Sequence, residues 1–280
     1  MNWVVVFSCA ALGCGLSAID SAAQKPAGDA PASGVIHVFN GKDLGGFYTF
    51  LKGRGRDVDP LKVFSVQDGV LRISGEEFGC VTSVEEFENF RLVVEFKWGD
   101  QTCAPRETNA RDSGVLVHSV GEDGAYGGMW MHAIECQVIE GGTGDLLVVG
   151  DGTDQFALTG RAAPELSGGC PVYQPDGKPV TLHEGRLNWF GRDPEWKDVK
   201  DFRGKNDVEK PVGEWNVYEC VAQGSEIAVL LNGVEVNRCY DVRPQRGRIQ
   251  IQSEGAEILV RRVEVIPLAA SASPKPNPQK

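Results

Sequence analysis

Side chains that can transfer protons or bind hydroxyl groups are concentrated between residues 112 and 145. They are His118, His132, Glu135, Gln137, Glu140 and Asp145. Carboxyl and imidazole groups are efficient acid and base catalysts when their pKa values approach the working pH. This segment therefore holds the candidate site for chemistry, if the fold brings these side chains together.

Alternating apolar and polar residues predict that the segment forms strands. Successive side chains of a strand point to opposite faces. In residues 133–138 the apolar side chains share one face, and Glu135 and Gln137 share the other. In residues 113–118 the same rule places His118 on the face opposite the valines. If the two strands are neighbours, we expect His118, Glu135 and Gln137 to line one concave surface.

Two aromatic residues could complete that surface. Trp130 and Tyr126 lie close to the second strand in sequence and could supply a flat apolar platform for a ligand. The alternative is that the polar residues form the solvated outer face of an antiparallel sheet, which is the ordinary arrangement.

The rest of the sequence is typical of an all-β protein with one folded domain. Of its 280 residues, 41% are hydrophobic, which is enough for a large single core. Residues 91–98 alternate with period two, which is a strong strand pattern. Asn-Gly or Asp-Gly pairs, which favour hairpin turns, separate the Val/Ile/Leu-rich runs at positions 40, 68, 123, 151, 176 and 232.

The charge balance limits the partners. A net charge of −11 argues against nucleic acid, because phosphates require clusters of Lys and Arg that this sequence does not have. A neutral or cationic ligand is easier to accommodate. We also expect a monomer without an organic cofactor.

Both ends differ in composition from the middle of the chain. Residues 1–23 contain an apolar run and end in small residues, as a signal peptide does, which predicts a periplasmic or secreted protein. Residues 24–34 have the composition of a linker, and residues 268–280 that of a disordered tail. No later segment is apolar over the ~20 residues of a transmembrane span. The folded domain is therefore expected over residues 35–267.

An insertion interrupts the strand pattern over residues 151–211, where Gly, Pro and charged residues predict an irregular segment. A long irregular insertion in a folded domain is usually functional or disordered. Trp189 could stack on a sugar ring, and Arg192 could bind oxygens. The alternative is that the insertion folds over the sheet and Trp189 belongs to a local core.

Several short motifs, in order, resemble the 3-keto-disaccharide hydrolase family of secreted bacterial domains. Residues 39–44 read Phe-Asn-Gly-Lys-Asp-Leu, residues 66–71 fit the pattern Val-x-Asp-Gly-x-Leu, and residues 135–137 fit Glu-x-Gln. Asp112 precedes Ser-Gly where the family usually has Asn. The resemblance covers about residues 35–267 and implies an antiparallel two-sheet jelly-roll sandwich of the concanavalin A-like lectin/glucanase type.

The resemblance also implies a reaction, the cleavage of 3-keto-glycosides by abstraction of the C2 proton, elimination of the glycosidic bond and hydration. Glu135 is our candidate base, His118 or His132 the group that shuttles a proton, and Gln137 the residue that orients the substrate. An enolate must be stabilised by positive charge. Arg111, Arg192 or a divalent metal ion held by Asp112 and Asp145 could supply it.

Two other functions remain open at this stage. Residues 135–140 resemble the Glu-x-Asp-x-x-Glu strand of laminarinase-type retaining glycosidases, in which the two outer glutamates carry the chemistry. Glu140 could join Glu135 on one face only through a β-bulge, because positions five apart face opposite sides of a strand. A non-catalytic carbohydrate-binding module would need the same surface but no acid or base.

Overall fold

The computed structural model describes residues 34–270, which form strands joined by turns and loops. The predicted signal peptide and nearly all of the linker and tail lie outside these residues. In the described part of the chain no helix is long and apolar enough to cross a membrane. The strands are β1 (Ile36–His37), β2 (Phe47–Leu51), β3 (Gly55–Arg56), β4 (Phe64–Gln67), β5 (Val70–Ile73), β6 (Gly79–Ser83), β7 (Phe90–Thr102), β8 (Asp112–Val120), β9 (His132–Ile139), β10 (Leu146–Val149), β11 (Ala157–Ser167), β12 (Cys170–Tyr173), β13 (Lys178–Leu182), β14 (Gly185–Leu187), β15 (Asn216–Gln223), β16 (Glu226–Leu231), β17 (Val234–Arg243), β18 (Arg248–Ser253) and β19 (Ala256–Pro267).

The strands form two antiparallel sheets, as the all-β sandwich prediction requires. Sheet A has the order β12-β11-β17-β16-β15-β7-β19-β5-β4, with β1 beside β19 and β13 beside β11. Sheet B has the order β14-β10-β9-β8-β18-β6-β2-β3. Neighbours in sheet B come from distant parts of the sequence, so residues from β8, β9, β10, β14 and β18 meet on one surface.

The main core fills the space between the two sheets. The thiol of Cys136 in sheet B lies 3.7 Å from that of Cys220 in sheet A. The hydroxyl of Tyr218 in sheet A donates a hydrogen bond to the carbonyl of Gln137 at 3.3 Å. Inward-facing side chains such as Phe96 and Trp98 are almost completely buried. Burial of one such side chain contributes roughly 1.5–3 kcal/mol, so the core fixes the register of every strand that crosses it.

The opposite face of sheet B, which points away from sheet A, is called here the outer face. At one end it is apolar, where Leu116, Trp130 and Ala133 pack together. Farther along the same face lie Glu135 and Gln137, as the alternation of residues 133–138 predicts. The outer face therefore changes from apolar to polar along strands β8 and β9.

The predicted position of His118 is wrong, because a β-bulge interrupts β8. The register between β8 and β9 shifts between Val117 and Val120, and His118 has a left-handed φ of 54°. Val117 and His118 consequently both point inward, although they are adjacent in sequence. The imidazole is 1% exposed and packs edge-on against Phe90, with ring centroids 5.6 Å apart. It is a core histidine and does not reach Glu135.

The expectation of an irregular segment over residues 151–211 also needs correction. Four strands, β11 to β14, form within it, and they extend the edges of both sheets. The remaining part, residues 188–211, has no strand. The insertion therefore adds walls to the outer face through β14 and the chain that follows it.

His118 should make the stability depend on pH. Burial lowers its pKa from 6.5 to about 4, so its stabilising contribution is complete above pH 6.5 and is lost as the pH falls toward 4. At about 1.4 kcal/mol per pH unit the loss is at most about 3 kcal/mol. His118→Asn keeps a residue that tolerates the left-handed backbone but does not titrate. We measure the free energy of unfolding of wild type and variant by urea denaturation. We expect the difference between the two to narrow by about 2 kcal/mol when the pH is lowered from 7 to 4.5. A constant gap would contradict this account.

Candidate functional site

A cavity of about 190 Å³ opens on the outer face of sheet B, and we call it the carboxyl cavity. Its polar lining comes from β8, β9, β14, the β8–β9 loop and the β18–β19 turn: Asp112, Tyr126, Trp130, Glu135, Gln137, Arg186 and Glu254. The register explains why these residues meet. Leu147 in β10 pairs with Glu135 on one side and Arg186 on the other, so all three lie in one row on the same face.

Arg186 is held in this row by a buried carboxylate. Its Nη1 donates to Oδ2 of Asp145 at 2.8 Å, and its Nη2 lies 3.4 Å from Oε1 of Gln137. Asp145 is completely buried, and its Oδ2 also accepts from Nη1 of Arg192 at 3.0 Å. Its Oδ1 accepts from the backbone N–H of Trp189 at 2.8 Å. Both oxygens of Asp145 are thus bound by donors, and the guanidinium of Arg186 is fixed beside the cavity.

Asp112 is oriented by an amide and a second arginine. Nε2 of Gln137 donates to its Oδ1 at 2.6 Å, and Nη2 of Arg106 lies 3.0 Å from its Oδ2. Burial raises the pKa of Asp112 to about 7, although the charges of Arg106 and Arg186 act in the opposite direction. A carboxyl group of this kind exchanges its proton near neutral pH.

Glu135 is 4% exposed, and its carboxyl group lies against Gly114 of the neighbouring strand. A Cβ at Gly114 would come within 2.3 Å of Oε1 of both Glu135 and Gln252, so only glycine leaves room for these side chains. Burial, together with the charge of Asp112, raises the pKa of Glu135 to about 8. The buried amide of Gln252 lies against the same glycine.

Glu254 brings a third carboxyl group to the cavity. Burial, with the charges of Asp112 and Glu135, raises its pKa well above the ordinary value. Three acids near one guanidinium cannot all be ionised at low cost, because like charges repel in a poorly solvated site. At neutral pH the carboxyl cavity therefore contains both proton donors and proton acceptors.

The predicted aromatic platform belongs to the same cavity. Trp130 and Tyr126 stack with ring centroids 6.4 Å apart and an angle of 20° between the planes. Trp130 is anchored by its Nε1, which donates to the carbonyl of Gly79 at 3.2 Å, and Tyr126 is 40% exposed. The cavity thus combines a flat apolar wall with polar groups, as sugar-binding sites do.

Other predicted site residues lie elsewhere. The ring of His132 faces inward and packs on Phe156, with centroids 4.7 Å apart, so neither candidate histidine reaches Glu135. Trp189 is 2% exposed and belongs to the core, as the alternative prediction had it. Arg111 is buried in ion pairs with Glu140 at 2.6 Å and Asp201 at 2.8 Å, and it does not line the carboxyl cavity.

Arg192 lines a second cavity of about 460 Å³, which we call the neighbouring cavity. Its guanidinium lies over the ring of Trp196, 3.9 Å from the centroid. Asp112 and Arg186 line both cavities, so the two spaces adjoin at these side chains. The carboxyl cavity and the neighbouring cavity are parts of one larger site.

Asp112 and Asp145 do not fit the metal-binding role considered for them. The carboxylate of Asp145 is shared by Arg186 and Arg192, and that of Asp112 is bound by Gln137 and Arg106. Within residues 34–270 no group of three His, Cys, Asp or Glu side chains is arranged to hold a metal ion. Positive charge at this site comes from the arginines.

Sequence reasoning missed Glu254, a polar residue of the site. A signal for it was available, because Gln250, Gln252 and Glu254 alternate with Ile249 and Ile251. This period-two pattern places Gln250 and Gln252 on the outer face of β18 and predicts the same side for Glu254, in the turn that follows. The sequence shows Arg186 only as a charged residue of the insertion. Its place in the site could not be predicted, because the pairing of its strand with β10 is a tertiary contact.

Comparison with known proteins identifies the family of the chain. The sequence model of the 3-keto-alpha-glucoside-1,2-lyase-like domain matches residues 34–266. The chain belongs to this family. The predicted resemblance is confirmed, and the family is a carbohydrate-active one of the jelly-roll type. No curated protein matches the sequence significantly.

Solved structures align with this chain at low sequence identity. A crystal structure of a candidate glycosyl hydrolase from Parabacteroides distasonis aligns with a TM-score of 0.50 and 18% identity, covering 84% of this chain and 94% of that one. At this identity the likeness concerns the fold alone. A β-glucanase from Bacillus licheniformis aligns with a TM-score of 0.44 and 12% identity, covering 85% and 99% of the two chains.

Removal of the Asp145 charge should destabilise the protein strongly. In Asp145→Asn the amide oxygen can still accept from the backbone of Trp189, but Arg186 and Arg192 lose their shared carboxylate. An uncompensated buried charge costs about 3–5 kcal/mol. We expect a loss of this size in the free energy of unfolding measured with urea. Asp154→Asn, at a side chain that is 88% exposed, is the matched control and should change it by less than about 1 kcal/mol. Equal effects of both variants would refute the role of Asp145.

Proposed function

We propose that the protein cleaves 3-keto-glycosides, such as oxidised disaccharides, by elimination followed by hydration. The observation that carries this proposal is the placement of Glu135 and Arg186 in one cavity, with Arg186 fixed by Asp145. Membership of a family described as lyase-like supports the reaction type. A base and a fixed positive charge are the two groups that the reaction requires.

Glu135 is the base in this scheme. A ketone at C3 acidifies the C2 hydrogen, and the ionised carboxylate removes it as a proton. The C–H electrons form the enolate, whose oxygen carries the negative charge. The guanidinium of Arg186 stabilises that oxygen, because a pre-oriented charge acts most strongly where charge develops in the transition state.

Elimination and hydration complete the reaction. Collapse of the enolate restores the C3 ketone, forms the C1–C2 double bond and expels the glycosidic oxygen from C1. Water then adds to C1 of the unsaturated ketone, and the protonated Glu135 returns its proton to C2. The net reaction consumes one water molecule and releases the 3-keto sugar and the leaving group.

The size and lining of the carboxyl cavity suit one sugar ring. Its volume of about 190 Å³ is below the ~300 Å³ of typical drug-sized pockets. The Trp130–Tyr126 stack can cover an apolar sugar face, while Gln137 presents its amide to hydroxyl groups. Gln137 is already held by Asp112 and Arg186, so its orientation is fixed before a ligand arrives.

Replacement of Glu135 by glutamine tests the base directly. The amide keeps the shape but cannot accept a proton, so we expect kcat/KM for 3-keto-trehalose or 3-keto-sucrose to fall by roughly 10²–10⁴-fold. Glu122→Gln, on the exposed β8–β9 loop, is the matched control and should retain wild-type turnover. Undiminished activity of Glu135→Gln would remove this residue from the mechanism.

The pH profile offers an independent test. Because the pKa of Glu135 is raised to about 8, only the minor ionised fraction is present at pH 5 to 7, and this fraction grows with pH. We expect kcat/KM on a 3-keto-disaccharide to rise by about tenfold per pH unit between pH 5 and pH 7. A profile that is flat or falls over this range would rule out a base with such a pKa.

The laminarinase-type alternative requires Glu140, which is engaged elsewhere. Glu140 is completely buried, and its carboxylate accepts from Nη1 of Arg111 at 2.6 Å and from the Arg111 backbone at 2.9 Å. Turnover of an unoxidised β-glucan with no turnover of 3-keto-disaccharides would nevertheless favour a glycosidase. Tight glycan binding without turnover of either substrate class would favour a non-catalytic binding module.

A further inference from the structure

The neighbouring cavity adjoins the carboxyl cavity, in which we place the abstraction of the proton. It is lined by Asp112 and Arg186 at the boundary with the carboxyl cavity, and beyond them by Arg106, Asn188, Arg192 and Trp196, among others. Its volume of about 460 Å³ exceeds that of the carboxyl cavity. Glu135 lines only the carboxyl cavity, so the carbon that loses its proton must lie there. The other half of a disaccharide then extends past Asp112 and Arg186.

The charges of the neighbouring cavity favour an uncharged ligand. Three arginines line it, Arg106, Arg186 and Arg192, together with three aspartate side chains, Asp112, Asp193 and Asp198. A charged ligand would meet groups of its own sign on the wall, whereas a hydroxyl group can accept a hydrogen bond from a guanidinium and donate one to a carboxylate oxygen. The Arg192–Trp196 stack adds a planar surface. These features fit a neutral sugar.

Asp112 occupies the boundary with its carboxyl group held in place. Its Oδ1 is bound by Gln137, and its Oδ2 faces Arg106, which is also paired with Asp198 at 3.1 Å. Among residues 34–270, Asp112 is the one carboxyl side chain that lines both cavities. A group in this position is next to the bond that joins the two halves of the substrate.

From this placement we infer that the leaving sugar binds in the neighbouring cavity and that Asp112 protonates the departing glycosidic oxygen. This inference rests on the proposed function and deepens it. When the C1–O bond breaks, its electron pair stays on oxygen, which takes the proton of the Asp112 carboxyl. The resulting carboxylate is stabilised by Arg106 and Arg186. It regains a proton from the water that adds to C1.

A further observation supports the assignment. Burial raises the pKa of Asp112 to about 7, so part of the population carries the required proton at neutral pH.

The test compares two substrates that differ in their leaving group. A 3-keto-disaccharide needs a proton on its departing oxygen and room in the neighbouring cavity. In contrast, 3-keto-glucosyl fluoride releases fluoride, which needs neither. For Asp112→Asn we expect kcat/KM to fall at least 100-fold on the disaccharide and less than about fivefold on the fluoride. Asp68→Asn, in the exposed β4–β5 turn, is the matched control and should retain wild-type rates on both.

A second variant tests the cavity without removing a charge. Ser167 lines the neighbouring cavity, and Ser167→Leu adds bulk there. We expect KM for the disaccharide to rise at least tenfold, with a smaller effect on the fluoride. Thermal denaturation will reveal whether Asp112→Asn folds. If it does not fold, Ser167→Leu still tests the binding of the leaving sugar in the neighbouring cavity.

Each outcome has a distinct meaning. Equal losses on both substrates for both variants, or no loss on either, would overturn the inference while leaving the proposed reaction intact. Absence of turnover of either substrate by the wild-type protein would refute the proposed function, and this inference with it. Selective loss on the disaccharide supports both.

Discussion

The site depends on one buried interaction, the carboxylate of Asp145 shared by Arg186 and Arg192. Removing three charged groups from water is costly, and the mutual attraction offsets that cost only when geometry and hydrogen bonding are good. Here both oxygens of Asp145 are bound, one by the two guanidinium groups and the other by the backbone of Trp189. Arg186 is therefore a rigid cation beside the carboxyl cavity, and Arg192 a rigid wall of the neighbouring one.

The exclusion of water by burial also sets the protonation states of Asp112 and Glu135. Burial disfavours the ionised form of Asp112 and Glu135, and the charge of Asp112 makes Glu135 still harder to ionise. This arrangement has a cost to the fold. The pKa of Glu135 is raised on folding, so its contribution to stability is complete below its unfolded value near 4.5 and is lost as the pH rises toward 8. The carboxyl group of Glu135 therefore destabilises the fold at neutral pH, and packing elsewhere in the protein must offset that cost.

Periodicity was a reliable guide where strands are regular. Residues 90–98, 113–118 and 133–138 were predicted as strands and lie within β7, β8 and β9. The placement of Glu135 and Gln137 on one face followed from alternation alone. The prediction failed for His118, because a one-residue bulge reverses the face of every side chain after it, and the sequence carries no clear mark of that bulge. Glu254 reaches the carboxyl cavity from the β18–β19 turn, so its place there depends on the order of strands in sheet B.

The amino-acid sequence by itself determined the family, the sandwich fold and the strand faces, because short motifs and period-two alternation are local properties of the chain. Only the tertiary structure decided which charged groups meet. Asp145 and Arg186 are 41 residues apart, and Asp112 and Glu254 lie on strands and turns that become neighbours through sheet order. Burial decided the rest, since the pKa of a carboxyl group depends on the water and charges around it, and these are set by packing between distant segments.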